Sequence, residues 1–82
     1  MGAGRKPTVE DTTVIREIAL ARGPAVFAVE LTGPLGMSRQ GVDKRLRDLE
    51  ERGLVRSKKA GRARMWWISD EGWKLLERER PD

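Results

Sequence analysis

The side chains that most often perform catalysis or bind metals are missing from this sequence. It has no cysteine and no histidine, which removes thiolate and imidazole ligands and the usual general base. Ser38, Ser57 and Ser69 are possible nucleophiles, but none stands at a recognisable catalytic spacing from a lysine. The sequence therefore predicts a protein that is not an enzyme and that uses no metal and no cofactor.

The chemistry that the sequence does offer is that of clustered cations. The net charge is +4, and residues 39–64 hold ten basic against four acidic side chains, whereas the rest of the chain is net negative. One strongly basic segment is typical of a protein that meets a polyanion with a single face. The alternative interpretation is a solvated charged surface.

The elements that must position these cations begin with two short helices. Residues 1–7 are predicted to be a flexible basic arm, after which Thr8 can cap a first helix that ends at residues 22–24. Val26 and Phe27 fit either a very short strand or the start of a second helix. Glycines and a proline then predict a turn over residues 33–37.

The most periodic segment follows this turn. Ser38 is a good N-cap, Gly53 a good C-terminal stop, and apolar residues recur between them at i, i+4 and i+7, namely Val42, Leu46 and Leu49. These features predict a third helix over residues 38–52. Two helices joined by a tight turn are thus expected to precede the most basic part of the chain.

A hairpin and a last helix complete the predicted order. Residues 54–55 and 65–68 are predicted strands around a basic loop, residues 56–64, centred on Gly61. Ser69 can cap a final helix whose buried side is expected to include Trp73, Leu75 and Leu76. The prediction is an α+β winged helix-turn-helix domain over residues 8–80, with a three-helix core, a β-hairpin wing and a short C-terminal helix.

Two stretches resemble winged-helix regulators of the multiple antibiotic resistance regulator (MarR) type and small archaeal winged-helix proteins. Residues 37–55 are similar to that family's recognition helix leading into its first wing strand, and residues 61–72 to its wing and the start of its last helix. The resemblance implies a DNA-binding transcriptional regulator. The basic third helix and wing lead us to expect sequence-specific binding of double-stranded DNA by a repressor that acts as a homodimer. Larger members dimerise through long terminal helices, and because the predicted final helix is short, their mode of dimerisation is not carried over. No small-molecule ligand is implied.

The exposed side of the third helix is expected to read the DNA major groove. Arg39, Gln40 and Lys44 are the candidates for base contacts. Asp43 either accepts a hydrogen bond from cytosine or, as we favour, pairs with Arg47 at i, i+4. The hydroxyl of Ser38, at the N-terminus of this helix, suits a phosphate oxygen.

The wing is expected to contact phosphates or the minor groove through five cations that no acid interrupts, namely Arg56, Lys58, Lys59, Arg62 and Arg64. The alternative interpretation is a loop whose charges only increase solubility and bind nothing. A second hypothesis for the whole chain is a protein-interaction or assembly module that uses the surface around Trp67 and Trp73. The sequence contains no membrane-length apolar run and no signal peptide, so a cytoplasmic, nucleoid-associated protein is expected.

Overall fold

The computed structural model describes residues 9–21 and 23–79, which form four helices and one three-stranded antiparallel sheet. In chain order the elements are α1 (Asp11–Leu20), β1 (Val26–Phe27), α2 (Val29–Leu35), α3 (Arg39–Glu51), β2 (Val55–Ala60), β3 (Ala63–Ile68) and α4 (Asp70–Arg78). This order confirms the predicted α+β winged helix-turn-helix. The predicted arm, residues 1–7, lies outside the described residues, as does Thr8. The prediction that Thr8 caps the first helix is wrong, because α1 begins at Asp11 with Glu10 at its N-cap.

The sheet is built around β3, which pairs with β1 on one side and β2 on the other. Val26 and Phe27 form the short strand rather than the start of α2. β2 and β3 pair continuously from Val55 opposite Ile68 to Ala60 opposite Ala63, and we call this antiparallel pair with its connection, residues 55–68, the wing hairpin. The predicted long basic loop is therefore mostly strand, because backbone pairing continues to a two-residue connection at 61–62.

The core lies between the three N-terminal helices and the inner face of the sheet. Trp66 is fully buried at its centre, and Ile68 points inward two residues later, as strand alternation predicted. The remaining members of the core are Val14, Ile15, Ile18, Val26, Leu31, Leu35, Val42, Leu46, Leu49 and Val55. The helix-turn-helix unit and the wing hairpin thus share one apolar cluster, which sets their mutual position.

The turn before α3 is shorter than predicted. α2 continues through Gly33 and Pro34 to Leu35, and Gly36 ends it in the left-handed conformation with φ of 63°. Leu31 and Leu35, four residues apart, are both buried in the core. Their burial stabilises one more helical turn than the local preferences of glycine and proline suggest.

The packing of α4 also departs from the prediction. Ser69 caps the helix as expected, its Oγ accepting from the Gly72 backbone N–H at 3.1 Å. Leu75 and Leu76 pack against the core, but the fully inward position belongs to Gly72, and Trp73 is 49% exposed. The prediction that Trp73 lies on the buried side of α4 is wrong, because Gly72, close to the Leu54 carbonyl, occupies that side instead.

Candidate nucleic-acid interface

The third helix presents its charged side because its apolar side is fully committed to the core. Val42, Leu46 and Leu49 have no exposed surface. Ser38 caps the helix by accepting the Gly41 backbone N–H at 3.0 Å. The predicted contact residues of α3 are consequently on the surface, with Asp43 half-buried and the others exposed, namely Ser38, Arg39, Gln40, Lys44 and Arg47.

The exposed side of α3 and the wing hairpin face each other across an open groove of about 800 Å³. Seven of the eleven predicted site residues line it, namely Arg39, Gln40, Asp43, Arg47, Lys59, Arg62 and Arg64. Phe27, Val29 and the core residue Trp66 supply apolar lining. The tertiary structure therefore brings cations from two separate segments of the chain onto one concave surface.

Strand alternation divides the cations of the wing hairpin between its two faces. Lys59 and Arg64 are register partners, and both line the groove. Arg56, opposite Trp67, and Lys58, opposite Met65, alternate with them and lie on the other face. The sequence grouped all five cations as one loop, and it did not separate these two faces.

One acidic residue lies within the groove. Asp43 Oδ2 is 2.8 Å from Arg47 Nε, so the favoured i, i+4 pair is present. The hydrogen bond and the negative charge of Asp43 raise the pKa of the Arg47 guanidinium further above its usual value. Among the described residues, Arg47 forms an ion pair with an acidic side chain. The other cations of the predicted site form no ion pair with those residues.

Two arginines of the basic segment serve the fold instead of the groove. Asp11, at the start of α1, is 3.0 Å from Arg45 Nη2 and 2.8 Å from Arg52 Nη1. Arg45 also donates to the Val9 carbonyl, and Arg52 pairs with Asp48. The Arg52 hydrogen bond, followed by that of Arg45, holds the pKa of Asp11 below its ordinary value.

A hydrogen-bond relay joins α3 to the wing hairpin. Arg64 Nη1 donates to Ser57 Oγ at 3.0 Å, and Ser57 Oγ donates to Glu50 Oε2 at 2.6 Å. From the sequence, Ser57 was recognisable only as a possible nucleophile and Glu50 only as one acidic charge in the basic segment. The signal that points to the relay is the register of β2 and β3, which places Ser57 and Arg64 diagonally on one face.

Comparison with known proteins identifies the architecture. No protein-family model and no curated protein matches the sequence. Among solved structures, the antimony-specific transcriptional repressor AntR is 23% identical with a TM-score of 0.67, over 83% of this chain and 60% of AntR. The PcaV transcriptional regulator from Streptomyces coelicolor, solved with its natural ligand, is 19% identical with a TM-score of 0.74, over 90% of this chain and 53% of PcaV.

A third similar structure contains DNA. Lactococcus lactis ZitR, a zinc-responsive MarR family member, was solved as a cysteine-to-serine mutant in complex with DNA; it is 18% identical, with a TM-score of 0.66. This chain has the winged-helix fold of the MarR-family regulators. The alignment covers 93% of this chain and 53% of ZitR, so the chain spans just over half the length of the proteins that it resembles.

The similarity confirms the predicted fold and the predicted resemblance. AntR is a transcriptional repressor and PcaV a transcriptional regulator, the class of protein that the resemblance implied, and ZitR is a MarR family member. No helix in residues 9–21 and 23–79 is both long and apolar enough to cross a lipid bilayer. Because the sequence identities to these structures are below 25%, the roles of individual residues are inferred from the geometry of the groove.

Proposed function

We propose that this chain is a transcriptional regulator that binds double-stranded DNA sequence-specifically, with α3 in the major groove and the wing hairpin on the flanking backbone and minor groove. The observation that carries the proposal is the groove in which side chains from α3 and the wing hairpin converge. Its cationic lining suits phosphate, and an α-helix fits the width of the major groove.

On α3, the proposed base contacts come from the exposed N-terminal half. Arg39 can donate two hydrogen bonds to guanine, Gln40 can pair with adenine, and Lys44 can reach a base or a phosphate beside them. Ser38 Oγ accepts a hydrogen bond from the Gly41 backbone N–H, which leaves its hydroxyl proton to be donated to a phosphate oxygen. Arg47, held by Asp43, is proposed to contact a phosphate.

On the wing hairpin, cations on both faces suit an edge-on position against DNA. Arg62 lies at the tip, in the connection between the strands, where its side chain can enter the minor groove. Lys59 and Arg64 face α3, whereas Arg56 and Lys58 lie on the other side. A hairpin that stands in a minor groove meets a phosphate strand on each side, so we assign one pair of cations to each strand.

A further part of the proposal concerns how the bound protein regulates transcription. We propose a cytoplasmic, nucleoid-associated repressor that acts as a homodimer on a palindromic operator. AntR is a transcriptional repressor with the same fold, and a twofold dimer would place two copies of α3 on two half-sites. The half-exposed Trp73 on α4 offers apolar surface for contact between the copies.

The central experiment is fluorescence anisotropy of a mixed-sequence duplex titrated with the protein at several salt concentrations. We expect log affinity to fall steeply with log salt, and the double variant Arg62→Ala/Arg64→Ala to bind more weakly to every sequence. Its salt slope should be shallower by about 0.9 for each lost phosphate contact. The matched control is Lys74→Ala/Arg78→Ala, which removes the same charge from α4. Equal losses in both variants, or no binding at low salt, would refute the proposed interface.

The assignment of base contacts is tested separately by selecting bound sequences from a randomised duplex pool. Arg39→Ala and Gln40→Ala should change which sequences are selected, since each bidentate pair discriminates by about 1–3 kcal/mol. The wing variant Arg62→Ala/Arg64→Ala should weaken binding without changing the selected sequence. The same consensus for the wild type and both α3 variants would contradict base reading by α3.

A second candidate function is a protein-interaction or assembly module. The observation in its favour is the exposure of Trp73, together with the half-buried Trp67 on the face of the wing hairpin away from the groove. If this function is the correct one, the protein binds no duplex at low salt and self-associates or captures a partner. Light-scattering mass measurements on the wild type and on Trp73→Ala would then show the loss of the complex in the variant.

A further inference from the structure

We infer that Ser57 is a positioning residue that sets the wing hairpin at a defined distance from α3 and holds Arg64 in the groove. It does so through the relay from Arg64 to Ser57 to Glu50, with distances of 3.0 and 2.6 Å. The relay forms within the protein itself and needs no bound DNA. Its consequence for DNA affinity rests on the proposed function.

The chemistry of the three groups allows only one direction for the relay. A guanidinium group donates hydrogen bonds and accepts none, whereas a carboxylate accepts and donates none. The hydroxyl of Ser57 has one proton, which goes to Glu50, and a lone pair, which takes the N–H of Arg64. Both ends of the relay are charged, which makes its hydrogen bonds stronger than neutral ones.

The relay lies where the wing hairpin leaves the core. Val55 and Ile68, which pair at the base of the hairpin, are buried, whereas Lys58, Lys59 and Ala60 are exposed. Within the described residues, no side-chain hydrogen bond or ion pair joins α3 to the hairpin farther out than Ser57. Among the described residues, Ser57 therefore makes the outermost side-chain hydrogen bond between α3 and the wing hairpin, and the tip of the hairpin with Arg62 lies beyond it.

The relay also gives a hydrogen-bond partner to the charged group at each of its ends, Arg64 and Glu50. Arg64 gives one of its five N–H groups to Ser57, so the others remain available for a phosphate in the groove. Glu50, a half-buried acid at the end of α3, is engaged by the hydroxyl. Without Ser57, Arg64 would be free to rotate and Glu50 would lose its hydrogen-bond donor.

The first test is amide hydrogen exchange, measured by NMR on the free protein. Ser57→Ala should raise exchange rates several-fold across residues 57–64, while the helical core keeps its protection. Ser57→Thr, which retains the hydroxyl and suits a strand, should restore the wild-type rates. Glu50→Ala should loosen the same amides, whereas Glu51→Ala, which removes the adjacent exposed acid, should not.

The second test is DNA binding by the same variants. Ser57→Ala should weaken binding about three- to tenfold, the order of the net contribution of one ordinary hydrogen bond. Because Ser57 acts through Arg64, adding Ser57→Ala to Arg64→Ala should have little further effect. Ser57→Thr should bind as the wild type does, which a loss caused only by altered packing would not predict.

The two tests separate the inference from the proposed function. Unchanged exchange in Ser57→Ala would overturn the positioning role, and fully additive effects of Ser57→Ala and Arg64→Ala on affinity would overturn its action through Arg64. A wild type that binds no DNA, with a hairpin that still loosens in Ser57→Ala, would support the relay and overturn the proposed function.

Discussion

Replacing Gly72 by alanine tests how α4 is joined to the rest of the domain. A Cβ at this position would overlap the carbonyl oxygen of Leu54 and would lie 2.7 Å from Cγ2 of Ile68. The Leu54 carbonyl belongs to the backbone and already accepts the Ser69 N–H at 3.2 Å, so it cannot rotate away as a side chain would. The helix must therefore move outward to admit the methyl group.

The expected change in stability is the sum of two losses and one gain. Overpacking of this kind costs about 1–3 kcal/mol, and this backbone contact belongs at the upper end. Displacing α4 also weakens the hydrogen bond from Ser69 to Leu54, a loss of about 1 kcal/mol. Alanine regains about 1 kcal/mol of helix propensity. The net change in the free energy of unfolding is a loss of about 2–3 kcal/mol, which lowers Tm by roughly 10–20 °C in a domain of this size.

The assay is urea and thermal unfolding followed by circular dichroism, with Gly33→Ala as the matched control. Gly33 also lies in a helix, but a Cβ there meets nothing within 4 Å. Gly33→Ala should therefore leave the stability unchanged or raise it by up to about 1 kcal/mol. A Gly72→Ala protein as stable as the wild type would refute the close contact between α4 and Leu54.

Two further predictions concern other contacts of the fold. Because Arg52 and Arg45 lower the pKa of Asp11 in the folded state, their contribution is complete above the unfolded pKa of about 3.9 and is lost as the pH falls through the lower folded value. Urea titrations from pH 6 down to pH 2 should show this loss in the wild type and not in Asp11→Asn, and parallel pH profiles would argue against the ion pairs. Ser69→Ala removes both the cap on Gly72 and the 2.6 Å hydrogen bond to the Gly53 carbonyl, and should lower the free energy of unfolding by about 1–2 kcal/mol in denaturant titrations. Ser69→Thr retains the hydroxyl and should recover most of the loss; equal destabilisation by both substitutions would point away from the hydroxyl.

The sequence predicted many of the residues that line the groove, but it did not predict how they are arranged in space. The apolar period of Val42, Leu46 and Leu49 determines which side of α3 remains outside, and that local pattern correctly placed Arg39 and Gln40 on the surface. The basic hairpin was recognisable as a segment. Its division into two faces was not, because residues 56–64 were predicted to be a loop, and side chains alternate between two faces only in a strand.

The sequence did not show which of the basic residues face the groove and which form ion pairs within the fold. Arg45 and Arg52 counted equally with the groove arginines in the basic segment, yet both bind Asp11, more than 30 positions earlier in the chain. Net charge summed over a segment contains no information about such long-range pairs. The relay through Ser57 was missed for a different reason: its members are only seven positions apart in the chain, but they meet only when α3 packs against β2 and β3.

Local patterns alone determined the order of elements, the caps at Ser38 and Ser69 and the basic character of one face, because caps and apolar periods act within a few residues. The tertiary structure decided what depends on distant contacts. Burial of Leu35 extended α2 past Gly33 and Pro34, and the approach of α4 to Leu54 made Gly72 the inward residue. Folding against one shared core also placed cations from α3 and the wing hairpin on the two sides of a single groove.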